Sequence, residues 1–308
     1  MKSTRSSIAM IVLVFILTMV QPIQLESVTP DSINQISLPE VSSNKYLANI
    51  PYVWQEVNGY CFSAAISMVV QSMGIELDLH DLFTVMGTGF SALYMNTEDA
   101  FALFPGVFVR QVNYYKFFCD LYSLNSEIII DSDTEYGAYA IQIMESLNKP
   151  YSDYASSSID PPFAVLRNSI DAGIPLTIAV DTYYLPPVDY DIIRQYVGPM
   201  DVGSIGHAIT IVGYDDTAGV VQIQDPGVGL WDENYGFPED GRWKYNMTYA
   251  NLSNAWESAG YQTFRLTPGS GPDENYQDIL VDYIYKRLVG DRTSYFEGYE
   301  NYFFLNAG

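Results

Sequence analysis

Residues 206–226 run GHAITIVGYDDTAGVVQIQDP. Two apolar runs, Ala208 to Tyr214 and Val220 to Gln224, flank Asp215-Asp216-Thr217-Ala218-Gly219. This is the pattern of two strands joined by a hairpin turn. His207 starts the first strand and Asp225 ends the second. Antiparallel pairing returns the chain, so both residues finish at the same end of the ribbon. A carboxylate placed there can accept from the imidazole and fix its tautomer and orientation. The chain has two histidines. The other, His80, lies in LDLHDLF on a predicted helix beside acid, and reads as a surface or half-buried helix residue. With no third histidine and no paired-cysteine motif, the sequence argues against a zinc site.

A second segment carries complementary chemistry. Residues 55–65 run QEVNGYCFSAA. Phe62, Ala65, Ile66, Val69, Val70 and Met73 recur at helical spacing, and Gly74 closes the pattern. Cys61 would then sit at the first turn of that helix, where the positive end of the dipole favours thiolate. Gly59 allows a tight backbone approach just before it. Gln55, six residues upstream of Cys61, could swing its amide toward the same spot and form an oxyanion hole with the Cys61 N–H.

The remaining pattern fills out the architecture. A short extended segment covers Ile50 to Gln55. Further helices are predicted over 77–86, 133–147 and 162–172, with strands over 175–180 and 263–266. Helices come first and strands second, the order of an α+β domain. The 268–272 stretch PGSGP reads as a linker, and Asp278 to Leu288 as an amphipathic helix after it. Asp181-Thr-Tyr-Tyr-Leu-Pro-Pro187 reads as a loop after a strand that could line a cleft. Gly87-Thr-Gly89 is no phosphate loop, because no Gly-Lys-Ser/Thr follows. The pairs Asp215-Asp216 and Asp232-Glu233 lack calcium-loop spacing and read as solvated turns. Asn246 and Asn251 head glycosylation sequons.

Composition bounds the function. The 308 residues carry 37 acidic and 14 basic side chains, a net charge of −23, and are 48% hydrophobic. That apolar fraction builds a core and excludes wholesale disorder. A polyanion repels phosphate backbones, so nucleic acid is excluded as a generic partner, and attraction to anionic lipid headgroups is disfavoured for the same reason. The charge fits a soluble, self-repelling chain.

The N-terminus reads as an export signal. Lys2 and Arg5 precede Ile8 to Val20, a charge-free run of 13 residues. That is short against the roughly 20 needed to span a bilayer, and it fits a secretory signal, an uncleaved anchor being the alternative. The predicted organisation is a signal over 1–25, a linker or short pro-segment over 26–47, a folded domain over 48–267 and a C-terminal linker and helix over 268–308. The mature chain is expected outside the cytoplasm, with no stable membrane span. In an exported protein the two cysteines, Cys61 and Cys119, suggest a disulfide. It would stabilise by roughly 3–4 kcal/mol. The competing reading makes Cys61 a reactive thiol and Cys119, in the aromatic run YYKFFCDLY, a packed apolar one.

Taken together, the Gln55…Cys61 spacing, GYCFSAA, GHAITIVGYDD and the following QDP resemble the papain-like cysteine peptidases. Within them the pattern is similar to the bacteriocin-processing, double-glycine-leader peptidases, over roughly residues 48–266. The resemblance implies an α+β fold with Cys at a helix N-terminus, packed on an antiparallel sheet that carries His and Asp. It implies Cys61 as nucleophile, His207 as general base, Asp225 as its orienter and Gln55 as oxyanion donor. It also implies a peptide or protein substrate and no cofactor or metal. Many relatives have Gly after the Cys, where this chain has Phe62. LHDLFTVMGTGFSALY, GIPLTIAVDTYYLPP and GHAITIVGYDD also resemble the N-terminal domain of the butirosin-biosynthesis protein H family, acyltransferases on the same fold. A binding domain that reuses the fold without catalysis is the third reading, and a Cys61–Cys119 bridge would favour it.

Overall fold

The computed structural model describes residues 43–57, 59–79, 82, 118–119, 122–146, 150–156, 158–196, 206–230 and 236–269. The export signal, most of the helix expected over 77–86 including His80, Gly87-Thr-Gly89, Asp232-Glu233 and the C-terminal helix lie outside them. The elements in chain order are β1 (Asn44–Tyr46), α1 (Cys61–Ser72), β2 (Leu124–Ile130), α2 (Glu135–Ser146), β3 (Ser152–Asp153), α3 (Pro162–Asp171), β4 (Leu176–Asp181), α4 (Asp191–Tyr196), β5 (Gly206–Asp215), β6 (Val220–Gln224), β7 (Lys244–Thr248), α5 (Tyr249–Glu257) and β8 (Thr263–Pro268). Two 3-10 turns, Thr182–Tyr184 and Val188–Tyr190, link β4 to α4.

The strands form one sheet in the order β3-β2-β8-β4-β5-β6-β7, and β1 also pairs with β5. Every pairing is antiparallel except the two-residue contact of β2 with β3. The α+β class holds, but helices do not simply precede strands. β2 enters before α2 and pairs along its length with the last strand, β8. That register is set by residues more than a hundred positions apart, which local periodicity does not report.

β5 is the centre of the molecule. Every residue from His207 to Tyr214 is buried, so the strand reads as a nearly continuous apolar run rather than an alternating one. Alternation still decides which core each side chain joins. Ala208 packs with Phe62, Ala65, Ile66, Val69 and Phe264 beneath α1. Ile209 and Ile211 pack on the other face with Ile170 of α3 and Leu252 and Trp256 of α5. Helices therefore cover both faces. Thr210 ties the first layer directly, its hydroxyl donating to Ala65 O at 3.2 Å.

Local chemistry sets the helix ends. Pro162 occupies the first turn of α3, where its missing N–H costs nothing. Thr248 caps α5 by accepting from Asn251 N. α1 closes at Gly74, whose φ of +83° is the left-handed conformation a C-terminal glycine supplies. Gly213 has a different reason to be glycine. A Cβ there would lie 2.4 Å from the Tyr46 ring and 2.9 Å from Lys45 O, so β1 could not lie against β5.

The aromatic residue after Cys61 is a core anchor. Phe62 is buried and meets Phe264 of β8 edge to face, with centroids 4.6 Å apart. It fastens the first turn of α1 to the sheet. Phe62→Ala is expected to lower unfolding free energy by about 3–5 kcal/mol. Phe62→Leu, which keeps most of the volume, should cost about 1 kcal/mol. Urea titration of both variants checks this, and equal losses would contradict the anchoring role.

Candidate active site

α1 begins at Cys61, which places the thiol at the first helical residue. The turn into it uses Gly59 at φ +91°, a conformation closed to most side chains. The half-buried Cys61 sulfur bonds His207 and lies against the backbone N–H groups of Ala208 and Phe62. Burial pushes the thiol pKa up, but the hydrogen bond and positive charge of His207, with those two backbone donors, outweigh it and hold the thiol below its ordinary value.

His207 and Asp225 meet as the hairpin pattern requires. His207 Nε2 lies 2.7 Å from Asp225 Oδ1, with Asp225 fully buried and His207 nearly so. The ring's Nδ1 is then the nitrogen left for the thiol. Burial alone would push the imidazole pKa down. The Asp225 charge and hydrogen bond, with the contact to Cys61, reverse this and raise it to about 10. A raised imidazole beside a lowered thiol is the balance of a thiolate–imidazolium pair.

Four donors surround the Asp225 carboxylate. Besides His207, Gly227 N donates to Oδ1 at 2.9 Å and Tyr245 OH to Oδ2 at 2.9 Å. Tyr190 OH reaches both oxygens, at 3.0 and 3.1 Å. Tyr190 and Tyr245 escaped the sequence reading. Neither stands in a motif, and they lie 35 and 20 positions from Asp225. The nearest sequence signal was the 181–187 loop, read as a possible cleft wall; it leads directly into the turn that holds Tyr190.

Gln55 arrives with an extended segment laced to the end of the hairpin. Gln224 Nε2 donates to Ile50 O, Tyr52 OH to Asp225 O, Gln55 N to Pro226 O and Trp54 Nε1 to Val228 O, at 3.0–3.2 Å. Tyr52 also stacks on Trp243 with centroids 3.9 Å apart. The Gln55 side chain is buried, Nε2 donating to Val57 O at 3.1 Å while Oε1 has no partner. The amide is turned into its own loop, short of the swing the sequence suggested. One of its two N–H groups remains available.

Two other expectations change. Cys61 and Cys119 both carry thiols with no bridge between them, and Cys119 is buried in the core beneath α1. Asp216 is no simple solvated turn. It accepts a forked contact from Arg167 of α3, at 2.7–3.1 Å, and another from Tyr249 OH. Its carboxyl pKa is lowered, first by the Arg167 hydrogen bond. Among the described residues, no helix is long and apolar enough to cross a membrane.

No curated protein sequence matches the chain. A crystal structure described as that of a C39-like peptidase from Bacillus anthracis is similar, at 15% identity and a TM-score of 0.34, covering 73% of this chain and 97% of that one. The model of the Peptidase_C39 like family matches residues 47–264, which contain Gln55, Cys61, His207 and Asp225. With that match spanning more than two-thirds of its length, the chain belongs to the Peptidase_C39 like family.

Proposed function

We propose that the chain is an exported cysteine peptidase. Cys61 attacks the scissile carbonyl, and His207 takes the thiol proton and returns it to the leaving amine. Asp225 holds the imidazole, and Gln55 with the Cys61 backbone N–H receives the oxyanion. The observation that carries this reading is the unbroken chain of contacts from Cys61 to His207 to the buried Asp225, 2.7 Å from the ring. Family membership supports a peptide or protein substrate. Export rests on Lys2, Arg5 and the apolar run Ile8 to Val20. The two unbridged thiols favour a nucleophile over a binding domain locked by a disulfide.

The roles separate by reagent. A thiol-directed acylating probe passes through a tetrahedral intermediate, whereas simple alkylation by iodoacetamide does not. Cys61→Ala is expected to abolish acylation of the folded chain, and labelling that persists in that variant would sink the reading. Gln55→Ala is expected to slow acylation by about 10²–10³-fold while alkylation proceeds at the wild-type rate. Equal loss of both would assign Gln55 to the fold instead.

The pH profile follows from the two shifts. Below the lowered Cys61 pKa the thiolate is protonated and the rate falls. Above about 10 the imidazolium is lost, and with it the proton donor for the leaving group. Acyl transfer is therefore expected to be bell-shaped, with its acid limb below the value of an ordinary thiol and an alkaline limb near 10. A single rise centred on the value of a free thiol would show that no ion pair forms.

A further inference from the structure

We propose that Tyr190 is a positioning residue for the Asp225–His207 pair: its hydroxyl, shared between both carboxylate oxygens and set against His207 Nε2, holds the carboxylate in the orientation that receives the imidazole N–H. This rests on the reading of Cys61 as the nucleophile. The hydroxyl is 3.0 and 3.1 Å from the two oxygens of Asp225 and 3.2 Å from His207 Nε2. Tyr245, by comparison, touches only Oδ2. Tyr190 thus touches both members of the pair.

Three features show that the hydroxyl is placed rather than incidental. First, Tyr190 is itself buried, 1% exposed, so its O–H must find a protein partner. Second, the turn that carries it is braced. Asp189 Oδ1 accepts from Gly229 N at 2.9 Å and from Arg242 Nη2 at 3.3 Å, which fastens the turn to the segment after Asp225. Arg194 donates to Leu185 O and Pro187 O from the other side. Third, Gly227 closes the space behind it. A Cβ there would lie 2.7 Å from Tyr190 Oη and 2.8 Å from His207 Cε1, so a larger residue would drive the hydroxyl off the carboxylate.

The consequence for Cys61 has a definite sign. Asp225 is fully buried, so no solvent replaces a lost donor. Without the Tyr190 hydroxyl the carboxylate either rotates to recover a partner or carries its charge less well. Both weaken the imidazolium, and the thiolate loses part of its counter-charge. The titratable groups facing this centre are Cys61 from α1, Tyr52 from the extended segment, Asp189 and Tyr190 from the turn and Tyr245 from β7.

The test needs no substrate. In the full chain, the pH dependence of Cys61 alkylation by iodoacetamide is followed by peptide mass spectrometry, alongside thermal unfolding. Tyr190→Phe removes only the hydroxyl and is expected to raise the alkylation midpoint by at least about half a unit. That corresponds to about threefold less thiolate at a fixed lower pH. Tyr245→Phe should raise it less. A folded Tyr190→Phe chain with the wild-type midpoint overturns the proposal, even if its melting temperature falls. Should that variant not fold, Gly227→Ala displaces the hydroxyl and is expected to raise the midpoint likewise; an unchanged midpoint there also overturns it. If wild-type Cys61 itself titrates as an ordinary thiol, the peptidase reading fails first. A depressed wild-type midpoint that Tyr190→Phe leaves in place defeats only the role of Tyr190.

Discussion

A carboxylate with no exposure to solvent is tolerable only when its oxygens are met by donors, and most of the centre of this protein is arranged around one such group. Asp225 lies just beyond the end of β6, and the imidazole, two phenols and a backbone N–H converge on it. Each donor comes from a different part of the chain: β5, the turn after β4, β7 and the segment after Asp225 itself. Satisfying one buried charge therefore fixes the mutual placement of elements that share no local pattern. The backbone carbonyl of the same residue accepts from Tyr52, which brings the segment leading to Gln55 and Cys61 into the assembly.

In this arrangement local contacts at Cys61 oppose the effect of a net charge of −23. A negative field disfavours thiolate, and so does burial. Against them stand short-range contacts: the His207 ring bonded to the sulfur, and backbone donors from Phe62 and Ala208. Interactions over a few ångströms in a low-dielectric interior outweigh a diffuse surface charge screened by salt. Asp225 is one of the acidic residues behind the net charge, yet by raising the His207 pKa it opposes their effect on the thiol.

Phe62 shows how the core and the site share material. The residue after the thiol is a large ring facing Phe264, so the first turn of α1 is held by packing as well as by backbone hydrogen bonds. Thr210 adds a polar tether from β5 to the same helix. The helix that carries Cys61 and the strand that carries His207 are thereby one packed unit, and the thiol–imidazole contact depends on few mobile torsions.

Much of the frame was legible in residues 206–226, because a hairpin is a local structure and its two ends meet by geometry alone. β6 spans the residues expected, β5 extends the expected strand slightly at each end, and α1 begins one residue earlier than its apolar pattern. Cys61, His207 and Asp225 stood out in the sequence for a related reason: a helix start, a strand start and a strand end are points where pattern changes, whereas Gln55 stood out only as an amide six residues upstream of the thiol. β1, β2, β3 and β7 were not, being short, polar or paired with distant partners. Nor was the orientation of the Gln55 amide, which a neighbouring carbonyl two residues away decides. By itself, then, the sequence determined the ribbon, the helix that begins at the thiol and the strand that begins at the imidazole, all consequences of short-range periodicity. Only the tertiary structure decided that Tyr190 and Tyr245 close around Asp225, because a buried charge selects its donors by distance in space and not by distance along the chain.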